Sequence, residues 1–220
     1  MRPLLHRFRQ DETGTTTVEF TIVALLFLLL TFGLVEFGNM LWQYNSAAKA
    51  AQLGARLAAV SDPVWGALST LTDDGTPGSA WTTDYDVTCT GTNSTGSAGT
   101  CNGTDSGDYV AAAMQCLIFG RSAATPPCDN ACDPTGIDDA EAGMCDRYPE
   151  IRPTNVSITY SHTGLGFAGR PGGPVPTITL QLTDLQVPLF VVGDLLGLGP
   201  VTLPPFTVTM TGEDLSRLAP

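Results

Sequence analysis

An uncharged apolar run near the N-terminus constrains the fold of this chain more than any other feature. Residues 20–35 read FTIVALLFLLLTFGLV, and between Val18 and Leu41 only Glu19 and Glu36 can ionise. About 20 apolar residues are enough to cross a bilayer as an α-helix. The run is longer than the apolar core of a secretory signal peptide, which has roughly 7–15 residues. The sequence therefore predicts a membrane-spanning helix that is retained in the protein.

The charges around this run predict its orientation and exclude one class of partner. Residues 1–14 contain Arg2, Arg7 and Arg9, whereas residues 20–35 contain no charge. Because basic flanks stay in the cytoplasm, we expect a single-pass protein with a cytoplasmic N-terminus and an exported C-terminal part. The whole chain has 10 basic and 22 acidic residues, a net charge of −12. This deficit of Lys and Arg argues against binding of nucleic acid.

The predicted helix continues well past the membrane. No proline occurs in residues 15–60, and the next one is Pro63. A helix over residues 15–60 is about 69 Å long, more than twice the hydrocarbon thickness. Its second half has small residues four apart in two neighbouring rows, which together form a face that allows close packing. This face either packs against a helix of another subunit or is covered by the chain's own domain. The residues concerned are Ala47, Ala51, Gly54, Ala55 and Ala58.

The chain beyond residue 60 is predicted to form a small α+β domain with an antiparallel sheet. Alternating residues predict strands at 85–90, 156–160, 177–182 and 206–210. A helix is expected over 107–119, with Asp108 as its N-cap and Gly120 at its end. The sequence GLGFAG at 164–169 fits a dinucleotide-binding pattern. However, Arg170-Pro171-Gly172 follows it, so we expect a turn between strands.

An apolar segment near the C-terminus has two interpretations. Residues 188–205 read PLFVVGDLLGLGPVTLPP. Its glycines, prolines and single aspartate make it a poor membrane helix. The favoured interpretation is a buried short helix and loop. The other is an exposed apolar patch that docks a partner.

Six cysteines, all in the exported part, predict disulfide bonds in an oxidising compartment. The sequence does not determine which of the 15 pairings forms, although the short, glycine-rich loop between the first two favours that pair. A zinc site is the rival interpretation, built on Cys128 and Cys132 with two of Cys116, Cys145 and His162, but the paired two-residue spacings of zinc sites are missing. The six residues are Cys89, Cys101, Cys116, Cys128, Cys132 and Cys145.

An acidic stretch, DNACDPTGIDDAE at 129–141, raises the question of calcium binding. Clustered oxygens suit Ca²⁺, but the EF-hand order is absent because Pro134 occupies its glycine position. A solvated acidic loop is the favoured interpretation. A signal-anchored exported module that binds calcium or another ligand is the alternative function. The candidate ligands are Asp129, Asp133, Asp138, Asp139 and Glu141.

The sequence offers little for catalysis. His6 and His162 are its only histidines, and it contains no HExxH, Walker A or nucleophile-elbow motif. We therefore expect no enzymatic activity, no catalytic residues, no metal ion and no cofactor.

Residues 14–60 carry a family resemblance. They read GTTTVEFTIVALLFLLLTFGLVEFGNMLWQYNSAAKAAQLGARLAAV and follow a short basic leader. This sequence resembles the TadE-like family, pseudopilins or minor pilins of the Flp/Tad tight-adherence pilus systems. The resemblance implies that a prepilin peptidase cuts between Gly14 and Thr15. It also implies that Glu19, the fifth mature residue, is the assembly carboxylate.

The resemblance further implies a protein of the bacterial inner membrane with a periplasmic domain. Its partners would be other pilins or pseudopilins, the Tad assembly machinery and the prepilin peptidase, whether it enters the pilus or only helps to build it. The amine freed on Thr15, in the same or an adjacent subunit, would neutralise Glu19. Alternatively, Glu19 lies at the headgroup level, where the helix dipole favours it. The expected domains are a leader (1–14), a transmembrane and stem helix (15–60) and a periplasmic domain (61–220), with a Cys-rich insertion at 89–150.

Overall fold

The computed structural model describes residues 12–104, 107–122, 128, 131–132, 139–170, 173–190, 193 and 197–212. The predicted α+β class is confirmed: a long N-terminal helix precedes an antiparallel sheet with three disulfide bonds. The chain divides into two compact units. One contains the chain up to Trp42 together with Val187–Val201. The other contains Gln43–Gln186 and the chain from Thr202 onward.

The long helix, α1, spans Glu12–Val60. It ends where the sequence indicated, because Ser61 and Asp62 lead into Pro63 and a proline cannot continue a helix. The Ser61 N–H still donates to the Leu57 carbonyl oxygen at 2.9 Å, which closes the last turn.

The main sheet has five strands in the order β2-β1-β5-β6-β9, and every neighbouring pair is antiparallel. The four predicted strands are all present. On β5 and β6 every second residue is buried, so one face of the sheet forms the core. The five strands are β1 Asp86–Gly91, β2 Gly99–Gly103, β5 Val156–Ser161, β6 Thr177–Leu182 and β9 Phe206–Thr211.

Strand β2 was not predicted, because its sequence GTCNG has a single strand-favouring residue, Thr100, and is bounded by two glycines, which are depleted in strands. Its pairing with β1 is supported by a non-local contact. Cys101 lies directly opposite Cys89 in the register, and the two are joined by a disulfide bond.

The second helix, α2, spans Ala111–Phe119 and begins later than predicted. The expected N-cap at Asp108 is wrong, because no side chain caps this helix and its N-cap residue is Val110. The backbone of residues 108–110 pairs with the backbone of residues 64–66 instead of starting the helix. Asp108 O accepts from Gly66 N–H at 2.9 Å, and Val110 N–H donates to Val64 O at 2.8 Å. The end at Gly120 agrees with the prediction, and its φ of 80° is one that glycine adopts readily.

Shorter elements complete the described fold. Strands β3 (Arg121–Ser122) and β4 (Asp139–Glu141) form one pair, and β7 (Gln186–Val187) and β8 (Val201–Thr202) form another. Two 3-10 helices span Gly66–Thr70 and Pro153–Asn155. The GLGFAG sequence lies in the connection between β5 and β6, as expected for a turn rather than for a phosphate-binding helix start.

Candidate functional site in the N-terminal helix

The predicted processing site lies in the first turns of α1. Gly14 is exposed, and a Cβ built on it would have no neighbour within 4 Å. Thr15 and Glu19 are four residues apart in a continuous helix, so they lie on the same face about one turn apart. Glu19 is exposed. The helix therefore places this carboxylate one turn from the nitrogen that a cut after Gly14 would free.

The next part of α1 has the surface that a bilayer requires. Its most apolar 18-residue window has a mean hydropathy of 2.5, and none of that window is buried. Two hydroxyls in this part are satisfied within the helix: Thr21 Oγ1 donates to Val18 O at 2.8 Å, and Thr31 Oγ1 donates to Leu28 O at 2.9 Å. Lipid offers no hydrogen-bond partner, so such internal pairing matters there. Among the described residues, α1 is the one helix that could span a membrane, and its surface supports membrane anchoring of the chain.

Two polar residues of α1 are buried, and the sequence alone did not single them out. Glu36 and Gln43 are each only 8% exposed. Gln43 Oε1 accepts a hydrogen bond from the hydroxyl of Tyr148 at 3.2 Å. Burial, together with the negative charge of Glu150, raises the pKa of Tyr148, so this donor stays protonated at neutral pH.

Glu36 borders two small cavities in the first compact unit, one of about 370 Å³ and one of about 190 Å³. Each is also lined by one residue of the apolar C-terminal segment, Phe190 in the larger cavity and Leu189 in the smaller. The sequence contains one signal for this arrangement. An acid, Glu36, directly follows the apolar run at 20–35, and a second apolar segment occurs far along the chain at 188–205. The helix residues that line the cavities with Glu36 are Phe32, Val35 and Asn39 in the first and Gly33, Phe37 and Met40 in the second.

The small-residue face of α1 is covered by the chain's own domain. Ala47, Ala51 and Ala55 are fully buried, and Ala58 is nearly so. A Cβ on Gly54 would lie 2.4 Å from the sulfur of Met144, so the domain approaches the helix very closely at this residue. Of the two interpretations of this face, the structure thus shows coverage by the chain's own domain. Packing of the same residues against another subunit would require the domain to move aside, and it stays a prediction.

The six cysteines form three disulfide bonds, Cys89–Cys101, Cys116–Cys128 and Cys132–Cys145. The first bond joins the pair that the short, glycine-rich loop favoured. The four cysteines considered for the alternative zinc site are therefore joined in two disulfide pairs. The Nδ1 atom of His162 lies 3.1 Å from a carboxylate oxygen of Asp84. Cys132, Cys145 and Asp146 lie close enough to share an ion, but the two sulfurs are already bonded to each other.

The acidic stretch is described only in part. Asp139 and Glu141 lie on β4, and a carboxylate oxygen of Glu141 is 3.8 Å from Nε of Arg121. Asp129, Asp133 and Asp138 lie outside the described residues. Calcium binding by this stretch stays a prediction.

Comparison with known families points to the same part of α1. Residues 14–56 match the family model for TadE-like proteins. The match begins at Gly14 and includes Glu19, the exposed apolar surface and most of the buried small-residue face. It covers 43 of the 220 residues, counted as 56 − 14 + 1, so the TadE-like segment is the helix and not the disulfide-bonded domain. No curated protein and no solved structure matches the chain.

Proposed function

We propose that this chain is a TadE-like pseudopilin or minor pilin that contributes to assembly of a Flp/Tad-type pilus. The observation that carries this proposal is the coincidence of the family match with a single continuous helix. Residues 14–56 contain, in order, the glycine of the cut, the carboxylate one turn later and an apolar surface fit for lipid. The proposed role is structural, without catalysis by this chain.

The first proposed step is proteolytic maturation at the inner membrane. A prepilin peptidase hydrolyses the amide between Gly14 and Thr15, leaving a carboxylate on Gly14 and a new α-amine on Thr15. The mature chain has 220 − 14 = 206 residues. The leader takes away three arginines and two acids, so the mature chain has 7 basic and 20 acidic residues, a net charge of −13.

The second proposed step is neutralisation of Glu19 during assembly. A charged side chain at the centre of a bilayer costs about 2.5–3.5 kcal/mol on insertion scales, which is an upper bound for Glu19 because this residue directly precedes the apolar run. The new ammonium of Thr15 lies one helical turn away in the same chain. In an assembly, the ammonium of an adjacent subunit can take the same role and so favour a defined stagger between neighbouring helices.

The exported domain is proposed to lie in the periplasm and to meet other pilins or pseudopilins and the Tad assembly machinery. Its three disulfide bonds support an oxidising compartment. A periplasmic domain requires the cytoplasmic N-terminus that the arginines of the leader favour.

Maturation is tested by N-terminal sequencing of the protein from membranes of cells with and without a prepilin peptidase. We expect the mature protein to begin at Thr15 only when the peptidase is present. The Gly14→Val variant should remain uncut, because the added branches obstruct the peptidase subsite for this residue. Gly38→Val is the matched control, since Gly38 is another helix glycine with no neighbour within 4 Å of an added Cβ. A mature chain that begins at Met1 would contradict the proposal.

A further inference from the structure

Strand β9 forms one edge of the five-stranded sheet, and its outer side has no strand partner among the described residues. The Gly212 N–H donates to the Pro176 carbonyl oxygen at 2.8 Å, and this bond fixes the alternation of the antiparallel ladder between β9 and β6. Every second residue of β9 therefore points its backbone N–H and C=O away from the sheet. These residues are Thr207, Thr209 and Thr211.

The core side of β9 is incompletely covered. Ile178 and Leu180, which face the core from β6, are fully buried. Their direct partners on β9, Met210 and Val208, are only half-buried. This difference is expected where a sheet ends without a further strand to cover its apolar side chains.

A cavity of about 650 Å³ lies beside this edge, between β9 and the end of α1. Leu57 and Val60 of α1 and Met210 of β9 give it an apolar lining, and Thr209 also borders it. Arg56 is the one charged residue among the described residues that line the cavity, and no described residue forms an ion pair with it. The cavity thus offers apolar contacts and one positive charge next to unpaired backbone groups.

Strand β9 lacks the devices that usually protect an edge strand. Phe206–Thr211 reads FTVTMT, without a charge or a proline, and its six residues pair with β6 without a bulge. The regular row of free backbone donors and acceptors on such an edge is matched by another extended chain. The chemistry of this edge therefore fits an extended polypeptide better than a helix or a small molecule.

The direction of α1 argues against a second copy of this chain as the occupant. The ring centroids of Tyr44 and Phe206 lie 4.9 Å apart at the start of β9, whereas residues 56–60 of α1 line the cavity beside its end. This part of α1 therefore runs in the same direction as β9. Two identical edges pair antiparallel about a two-fold axis, so the two α1 helices would also be antiparallel. Copies anchored in one membrane need these helices to enter it from the same side.

We propose that the outer edge of β9 binds an extended segment of a different protein by strand addition, as a sixth strand antiparallel to β9. Alternate apolar side chains of this segment enter the cavity beside Leu57 and Met210. Arg56 lies near the end of β9, which is opposite the N-terminal end of an antiparallel segment, so an acidic side chain at that end pairs with Arg56. The inference needs neither cleavage after Gly14 nor assembly of a pilus.

A synthetic strand tests this proposal on the full chain in detergent micelles. The probe is a fluorescein-labelled peptide, DTVTVTV, whose aspartate and valines share one face of a strand. Fluorescence anisotropy measures its binding. We expect saturable binding that Thr209→Pro weakens by about tenfold or more, because proline removes an outward N–H and blocks the edge. Thr209→Val is the matched control, since it keeps the N–H and the branched shape.

Two methylated peptides separate strand addition from simple apolar binding and need no change to the chain. One carries N-methyl groups on its valines and the other on its threonines, and these two sets of N–H groups point to opposite sides of a strand. Because only one set can face β9, one peptide should lose binding and the other should keep it. Equal binding of the two peptides would overturn the proposal.

Arg56→Gln tests the charge contact. We expect it to weaken binding of DTVTVTV by up to about fivefold, as for an exposed ion pair, and to leave the uncharged analogue NTVTVTV unaffected. Equal losses for the two peptides would refute the ion pair.

Three further outcomes would overturn the proposal as a whole. These are the absence of saturable binding, equal binding by Thr209→Pro and Thr209→Val, and a dimer of the unchanged chain that Thr209→Pro dissociates. The dimer would assign the edge to a second copy. Maturation at Thr15 is measured separately by N-terminal sequencing, so this proposal and the proposed function fail independently.

Discussion

Two carboxylates bracket the apolar run of α1, and the structure gives them different surroundings. Glu19 is exposed one turn after Thr15, whereas Glu36 is buried and lines two cavities together with the loop residues Leu189 and Phe190. An exposed carboxylate in lipid needs a partner from elsewhere, and a maturation-derived amine is a suitable one. Under the proposed function, Glu19 is therefore the acid that can respond to the proposed cut after Gly14.

Replacing Glu19 with Gln tests this assignment. The cut after Gly14 should still occur, but the ion pair with the Thr15 amine is lost. A hydrogen bond to a charged group contributes about 1.5–3 kcal/mol, so fibre yield should fall by about tenfold or more. The yield is measured in sheared-pilus fractions from cells that make the fibre. Glu19→Asp keeps the charge and should retain most of the yield. Normal fibre production by the Gln variant would refute the role of the carboxylate.

At the scale of the element, α1 is one helix with two different surfaces. Its first part presents large apolar side chains outward, and its second part buries small residues against the domain. The sequence predicted the extent of the helix because composition and the absence of proline are local signals. It did not predict what covers the small face, since Met144 is 90 residues from Gly54 in the chain.

A valine at Gly54 should destabilise the domain. The added Cβ would lie 2.4 Å from the sulfur of Met144, so this fully buried side chain has to shift within the core. Overpacking of this kind costs about 1–3 kcal/mol. Thermal unfolding of the detergent-solubilised protein, followed by circular dichroism, measures the effect. Gly38→Val should leave the midpoint unchanged, because nothing lies near that Cβ. Equal midpoints for the two variants would contradict the packing described here.

The sheet shows the same division between local and non-local signals. Alternation located β1, β5, β6 and β9, because each carries branched or aromatic residues at every second position. Strand β2 and the true start of α2 were missed. The start of α2 depends on the backbone of residues 64–66, more than 40 residues away in the chain. Strand β2 depends on its pairing with β1 and on the bond to Cys89, because its own sequence GTCNG is a weak strand signal.

The buried position of Glu36 was missed for a related reason. The favoured interpretation placed residues 188–205 in a buried helix and loop, whereas the described residues Phe190 and Leu198 are exposed. Because residues 188–205 were not assigned to the same compact unit as the apolar part of α1, their apolar character was not connected with the acid at the end of that helix segment. Only the two cavities reveal that arrangement.

At the scale of the whole molecule, the disulfide bonds join cysteines close in sequence. The separations are 12, 12 and 13 residues. In the chain-entropy description, a bond that closes a loop of about 15 residues contributes about 3 kcal/mol. The bonds therefore stabilise segments that have few strand-forming residues.

Intact mass spectrometry tests this covalent framework together with maturation. The unreduced protein from peptidase-containing cells should have the mass of residues 15–220 and should take up no thiol-alkylating reagent. After reduction under denaturing conditions it should take up six labels, one for each cysteine. Labelling before reduction would show that at least one bond is absent, and retained leader mass would show that the cut has not occurred.

The helical conformation of residues 12–16 has a consequence for proteolysis. The amide between Gly14 and Thr15 lies inside the first helical turns. A peptidase needs a locally unwound backbone to reach an amide that a helix encloses, and fraying is easiest near a terminus. Glycine favours such opening, since it is about 1 kcal/mol less favourable than alanine within a helix. We therefore expect the residue at position 14 to influence cleavage in two ways. It must fit the peptidase subsite, and it sets how easily the helical backbone around the cut unwinds.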